Sequence, residues 1–282
     1  MTELMTHIDE AAAALKKRTR LRPEVGIILG TGLGDFTGSL ETESVVPYAD
    51  IPHFPVSTVE SHAGELHFGA LAGRGVAVMR GRVHYYEGYT MRQVAFPVRV
   101  LQAIGCKVLI VTNAVGGMNP DQPPGSIVVT TDHINLMGDN PLIGENDDEL
   151  GPRFPDMSEP YSRALVGLAE ACALDLKIPL QRAVFVGVAG PNLETAAEYR
   201  FLRWIGADVV GMSLVPESLA AVHGGMRVLA FNVVTDACLP DHLHPVDISQ
   251  VLAVAGRAAP ALTRLVTEVV RRLDSIPEDR LR

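Results

Sequence analysis

Residues 182–238 read RAVFVGVAGPNLETAAEYRFLRWIGADVVGMSLVPESLAAVHGGMRVLAFNVVTDAC, and their punctuation decides the fold. RAVFVGVAG is a short, apolar, β-branched run that stops at a Gly-Pro turn. A helix follows from PNLETAAEYRFL, then a second strand in GADVVGMS, a helix in VPESLAAVHGG and a third strand in RVLAFNVVTDAC. Short runs without polar alternation are expected of strands covered on both faces, as in α/β sheets. Glu194, Ser213 and Asp236 fall at the carboxyl ends of these strands. Open α/β sheets place ligands at those ends, so the stretch predicts half of an active site.

The same grammar continues on either side. VGIILG runs into GTGLG (residues 30–34), whose glycines at alternate positions permit close backbone approach to an anion. The spacing is GxGxG and not the GxGxxG of dinucleotide folds. Residues 52–69 read as a loop with His62 near its tip, followed by a strand pair through VAVMRG. In GRVHYYEGY (81–89), Arg82 and His84 alternate, so an extended backbone turns both donors to one side. TMRQVAFPVRVLQAIG predicts a helix kinked at Pro97 and stopped by Gly105. KVLIVTNAVGGMNP and SIVVTTDHINLMGDNP are two more strands. Residues 138–160 form a long Gly-, Pro- and acid-rich excursion that carries an unusual aromatic, Phe154. A helix over 161–174 leads back to the central stretch, and a long amphipathic helix from about 246, with Asp247 at its start, closes the chain.

The 282 residues are 47 % hydrophobic and 20 % charged, enough to bury a large core, and no linker divides them. One domain over 1–282 is expected. The net charge of −9 leaves no basic stripe for nucleic acid, and no run approaches the length of a membrane helix. Cys106, Cys172 and Cys238 are odd in number and form no CxxC pair, which suits a reducing cytoplasm. DHLHPVD (241–247) is the one metal-like cluster, but without HExxH or a cysteine pair no metal is expected. GxSxG and Walker A motifs are absent.

Seven motifs in fixed order, GTGLG, HAGELHFG, GRVHYYEGY, TNAVGGMNP, RFPDMS, GPNLET and GMSLVPE, resemble those of the trimeric purine nucleoside phosphorylases and their methylthioadenosine phosphorylase relatives. The resemblance spans residues 25–252. It implies an α/β domain with a mixed, twisted central sheet surrounded by helices, assembled as a homotrimer. It implies reversible phosphorolysis, in which a purine nucleoside and phosphate give purine and pentose 1-phosphate, with no cofactor.

By the same resemblance, phosphate falls to Thr31, His62, Arg82, His84, Ala114 and Ser213. Tyr86, Met212 and Ile248 would meet the sugar, joined by Phe154 reaching into a neighbouring subunit. Glu194, Val210 and Asp236 would hold the base, and His84, Glu194 and Asp236 would carry the catalytic electrostatics. The pattern is hybrid. Enzymes for 6-oxopurines carry asparagine at the position of Asp236; the methylthio branch carries aspartate but lacks Glu194. Ile248 stands where a histidine usually faces the 5′-hydroxyl, and Leu193 replaces a common phenylalanine. Two carboxyls around one purine do not both stay ionised easily, so one proton is expected between them, on Asp236 in the productive complex. Inosine and guanosine are the expected substrates, with adenosine or methylthioadenosine as the alternative. Nucleoside hydrolysis and non-enzymatic purine binding are the readings outside this class.

Overall fold

The computed structural model describes residues 2–58 and 63–276. Its frame is one nine-stranded sheet in the order β2-β3-β4-β1-β5-β8-β7-β6-β9, in which β5 also pairs with β9. The strands are β1 (Val25–Ile28), β2 (Glu41–Pro47), β3 (Glu65–Leu71), β4 (Arg74–Arg80), β5 (Val108–Gly117), β6 (Ile127–Leu136), β7 (Leu180–Val188), β8 (Val209–Gly211) and β9 (Arg227–Ala237). Parallel and antiparallel pairings are mixed, as expected.

The central strands are apolar at successive positions because each alternate side chain enters a different core. On β5, Leu109 and Val111 join one cluster while Val108 and Ile110 join the other; on β9, Val228 and Ala230 oppose Leu229 and Phe231 in the same way. Helices cover both faces. The first cluster takes residues from α1 (Glu3–Lys16), α2 (Met91–Ala103) and α5 (Val215–His223). The second takes them from α3 (Arg163–Leu176) and α6 (Ile248–Arg272). The remaining helix, α4 (Ala196–Trp204), turns Tyr199 and Leu202 onto a small cluster with Val210 and Cys238. Helix starts follow local chemistry: Thr2, Thr195 and Asp247 each accept a backbone N–H as side-chain caps of α1, α4 and α6. Helix α2 runs through Pro97 as one 13-residue element.

The decisive feature is a change of neighbours along β5. Residues Val108–Val111 pair with β1, but Gly116 and Gly117 pair instead with Val210 and Val209 of β8. β1 stops at Ile28, so a crevice opens beyond it where β5 turns away, the place where α/β sheets accept ligands. Gly30 lets the chain leave β1 flush against β5. A Cβ there would lie 2.6 Å from the carbonyl oxygen of Thr112 and 2.9 Å from Cα of Asn113. The Gly30 N–H donates to the Thr112 hydroxyl at 3.1 Å, and that hydroxyl donates to the Ile28 carbonyl.

Two elements differ from the sequence reading. β2 was not foreseen, and β3 begins at Glu65, inside the stretch read as a loop. Both belong to an antiparallel arm whose outer strand is largely exposed, so its apolar pattern is diluted by glutamate, serine and threonine. No described helix is long and apolar enough to cross a membrane.

Gly30→Ala is expected to cost about 1–3 kcal/mol by overpacking. Calorimetry should show a midpoint lowered by several degrees, at about 2–4 °C per kcal/mol for large domains. An unchanged midpoint would contradict the close approach of Gly30 to β5.

Candidate active site

The crevice deepens into a cavity of about 280 Å³ with a chemically distinct end on each side. Thr31, Arg82, His84, Ala114 and Ser213 line it together with Glu194, Asp236, Tyr199, Cys238 and Val210. Arg82 and Ser213 meet at Asn113 of β5, while Asp236, Cys238 and Val210 gather beside Gly116, further along the same strand. Tyr86, Met212, Leu193 and Ile248 also line the cavity. All the expected site residues except two therefore meet in one place. Phe154 is 87 % exposed, with the Arg153 guanidinium 5.7 Å from its ring centroid, and lies outside the cavity of its own chain. His62 falls outside the described residues.

The first end is built around a buried cation. Arg82 follows β4 in a segment outside the sheet that leads to His84, whose backbone is extended as expected (φ −120°, ψ 156°). Its Nε donates to Oε1 of Glu217 at 2.7 Å, and its Nη1 donates to the Thr112 carbonyl at 2.9 Å and to Asn113 Oδ1 at 3.1 Å. Both partners of the ion pair are about 3 % exposed. Burial makes such a pair stringent, because removing either charge strands the other in a medium that solvates it poorly. Ser213 donates to the same Asn113 oxygen at 3.0 Å, while Asn113 donates to Asn232 and Asn232 to Thr130, each at 2.8 Å. Ser213 is presented by a tight turn: Val215 N–H donates back to the Ser213 carbonyl, and Leu214 sits at φ 64°. A leucine in that region is costly, and Glu217 supports it by accepting the Leu214 N–H at 3.2 Å.

His84 is fixed separately. Its backbone N–H and its Nδ1 both approach Oε1 of Glu87, at 2.7 and 3.1 Å, and its ring stacks on Tyr86 with centroids 4.7 Å apart. Burial pushes the Glu87 carboxyl up, but hydrogen bonds from the His84 side chain, the Thr58 N–H and hydroxyl and the His84 N–H outweigh it, leaving it at about 2. Glu87, Asn113 and Glu217, which hold His84, Arg82 and Ser213 in place, are among the residues that sequence reasoning missed. The one signal for them was a polar residue inside or beside an otherwise apolar motif, as in VTNA and VPE.

The second end holds two carboxyls. Burial raises the Glu194 carboxyl above its ordinary range, against the lowering contact of the Tyr199 hydroxyl. Asp236 accepts from the Thr235 hydroxyl at 2.9 Å through Oδ1 and from the Cys238 thiol at 3.0 Å through Oδ2. The resting Asp236 is thus an acceptor at both oxygens, whereas the sequence reading had it donating in the productive complex. Thr235 permits that reversal. Its hydroxyl oxygen also lies 3.2 Å from the Val115 carbonyl oxygen, so its one proton can be given there instead of to Asp236. Gly116 forms the floor beside these groups, where a Cβ would meet Cys238 Sγ at 2.6 Å. The acids of the metal-like loop are used elsewhere: Asp241 pairs with Arg200 at 2.7 Å, and Asp247 caps α6.

An anion fits the donor-rich end, and a flat heterocycle with edge donors and acceptors fits the other. Residues 24–271 match the family described as the phosphorylase superfamily. The chain is 47 % identical to "Purine nucleoside phosphorylase 1" of Bacillus subtilis (strain 168) over 95 % of this chain and 98 % of that one. Among solved structures it is similar to the Schistosoma mansoni purine nucleoside phosphorylase in complex with inosine, at 36 % identity and TM-score 0.91, covering 97 % of each chain. The complex of the Schistosoma mansoni enzyme with adenosine gives 37 % identity and TM-score 0.91, covering 95 % of this chain and 98 % of that one.

The Glu87 carboxyl predicts an acid-range signature. Its folded value, about 2, lies below the ordinary 4.5, so the unfolded chain binds the extra proton and stability rises with pH between them. Its contribution is complete above the unfolded value and is lost as pH falls toward the folded one. Denaturant unfolding of wild type and Glu87→Gln should show a stability gap that is constant above about pH 5 and narrows toward about pH 3. A gap independent of pH would sink this assignment.

Proposed function

The chain belongs to the phosphorylase superfamily, and from that premise we propose that it catalyses the reversible phosphorolysis of purine nucleosides to free purine and pentose 1-phosphate. The observation that carries the reading is the two-ended cavity, with Arg82, His84 and Ser213 at one end and Glu194 and Asp236 at the other. Phosphate takes the donor end. Arg82 supplies the permanent charge and a fixed fork of donors. His84, held by Glu87, and Ser213, held by Asn113, add placed donors, together with Thr31, the Ala114 N–H and His62.

The nucleoside lies across the wall residues, with its base against the acid pair. As the C1′–N9 bond breaks, positive charge gathers on the sugar and negative charge on the departing purine. The phosphate dianion faces the first and then forms the new C1′–O bond, while the acid pair protonates or hydrogen-bonds the second. Bond broken and bond formed balance without a covalent enzyme intermediate, and holding both reactants in register supplies much of the acceleration. Phosphate is the co-substrate, and the step calls for no cofactor.

Ile248 and Leu193 give the sugar's far end an apolar wall, and Tyr86 and Met212 flank it. Phe154, exposed on its own chain, completes the sugar site of a neighbour in a homotrimer. Inosine and guanosine fit through Glu194, which accepts a ring N–H. Adenosine or methylthioadenosine is the second reading, favoured by the carboxylate of Asp236 as an acceptor for a 6-amino group.

Inosine, guanosine, adenosine and methylthioadenosine assayed with and without phosphate should yield free purine and pentose 1-phosphate when phosphate is present and no turnover when it is omitted. Release of free pentose at the same rate without phosphate would make the enzyme a hydrolase. Phe154→Ala is expected to lower kcat/KM for the nucleoside by about tenfold or more while leaving the assembled mass at three chains by light scattering. Full activity of a monomeric wild-type chain would remove Phe154 from the site.

A further inference from the structure

We propose that Cys238 and Tyr199 are positioning residues that decide which acid of the pair, Asp236 or Glu194, offers a proton to the purine. They thereby set the balance between 6-oxo and 6-amino substrates. The inference rests on the phosphorolysis reading and concerns the base end alone.

Neither residue was singled out by its sequence context, yet both line the cavity beside the acids. Cys238 is buried just past the end of β9, its N–H donating to the Gly117 carbonyl at 2.7 Å. That thiol donates to Asp236 Oδ2 at 3.0 Å. Tyr199 is buried on the inner face of α4, packs in the same small cluster as Cys238 and lines the cavity together with Glu194, whose charged form its hydroxyl favours. Asp236 is therefore held by two protein donors, the Cys238 thiol and the Thr235 hydroxyl, while Tyr199 lies on the Glu194 side of the same cluster. Of the other charged groups nearby, Glu198 acts on Glu194 from the exposed start of α4. His242, His244 and Asp247 line a second chamber that the same acids also line.

The chemistry of the two base classes makes the proton's position matter. A 6-oxopurine presents a ring N–H donor with oxygen and imidazole nitrogen acceptors; a 6-aminopurine presents a ring nitrogen acceptor with an amino donor. One proton on two acids gives two complementary arrangements. An ionised Glu194 with a protonated Asp236 matches the first class, and a protonated Glu194 with an ionised Asp236 matches the second. The protein weights these states by the donors it lends to each acid, since a donor favours the charged form. Cys238 lends one to Asp236 and Tyr199 lends one to Glu194. Removing them should tilt the balance in opposite directions, which a general loosening of the site would not do.

The test is the ratio of kcat/KM for inosine to that for adenosine, at saturating phosphate, in full-length variants checked by thermal melting. Cys238→Val, close in size but without a donor, should move the ratio about tenfold toward inosine, and Tyr199→Phe about tenfold toward adenosine. Cys238→Ser restores a donor and should stay within about threefold of wild type. Equal losses on both nucleosides, shifts in the same direction, or a serine variant that behaves as valine does would overturn the proposal. If Cys238→Val does not fold, Tyr199→Phe against Cys238→Ser still decides it, because an unmoved ratio in Tyr199→Phe breaks the link. A wild-type chain that cleaves neither nucleoside with phosphate fails at the earlier step, the phosphorolysis reading itself, and takes this proposal with it.

Discussion

Arg82 is the point at which the strands beneath the site are tied together. Its guanidinium leaves the end of β4, reaches the backbone and side chain of β5 at Thr112 and Asn113, and closes an ion pair with Glu217 of α5. Those contacts cluster where β5 abandons β1 for β8, which is where a sheet has backbone groups left without strand partners. A cation buried in that gap is tolerable because Glu217 balances it; alone, either charge would be strongly destabilising. The arrangement therefore stabilises the divergence of the strands and creates the anion end in one stroke. Ser213 joins it through the shared Asn113 oxygen, so the donors that face the crevice are set by the same network that holds the sheet.

The base end is organised on a different principle. The donor-rich end is a balanced, buried ion pair, whereas the other end brings two carboxyls into one cavity. Burial disfavours charge on Glu194, and Asp236 keeps two protein donors. The Thr235 hydroxyl can serve either the Val115 carbonyl or Asp236, so the pair has more than one satisfied state.

Much of this was legible in the sequence, for a physical reason. Strands covered on both faces must be apolar, so a polar residue ending such a run stands out, and Glu194, Ser213 and Asp236 were found that way. Glycines at positions 30, 32 and 34 advertised a close approach that Gly30 makes. Asn113 and Glu217 were hidden because buried polar groups look like lapses in an apolar motif until their partners, 31 and 135 residues away from Arg82, are known. Cys238 and Tyr199 read as ordinary core residues, since a thiol or phenol gains meaning only from the carboxyl beside it. The arm of β2 and β3 was blurred because an exposed outer strand carries no continuous apolar run. Phe154 stood out in the sequence as an exposed aromatic within the excursion over 138–160, and it is 87 % exposed.

The account stands on one cavity receiving an anion and a purine at opposite ends. A crystal structure of the chain grown with inorganic phosphate and hypoxanthine tests that most directly. Density for phosphate within hydrogen-bonding distance of Arg82, His84 and Ser213, with the purine edge against Glu194 and Asp236, is the predicted result. Phosphate bound away from Arg82, or a purine whose edge faces neither acid, would contradict it.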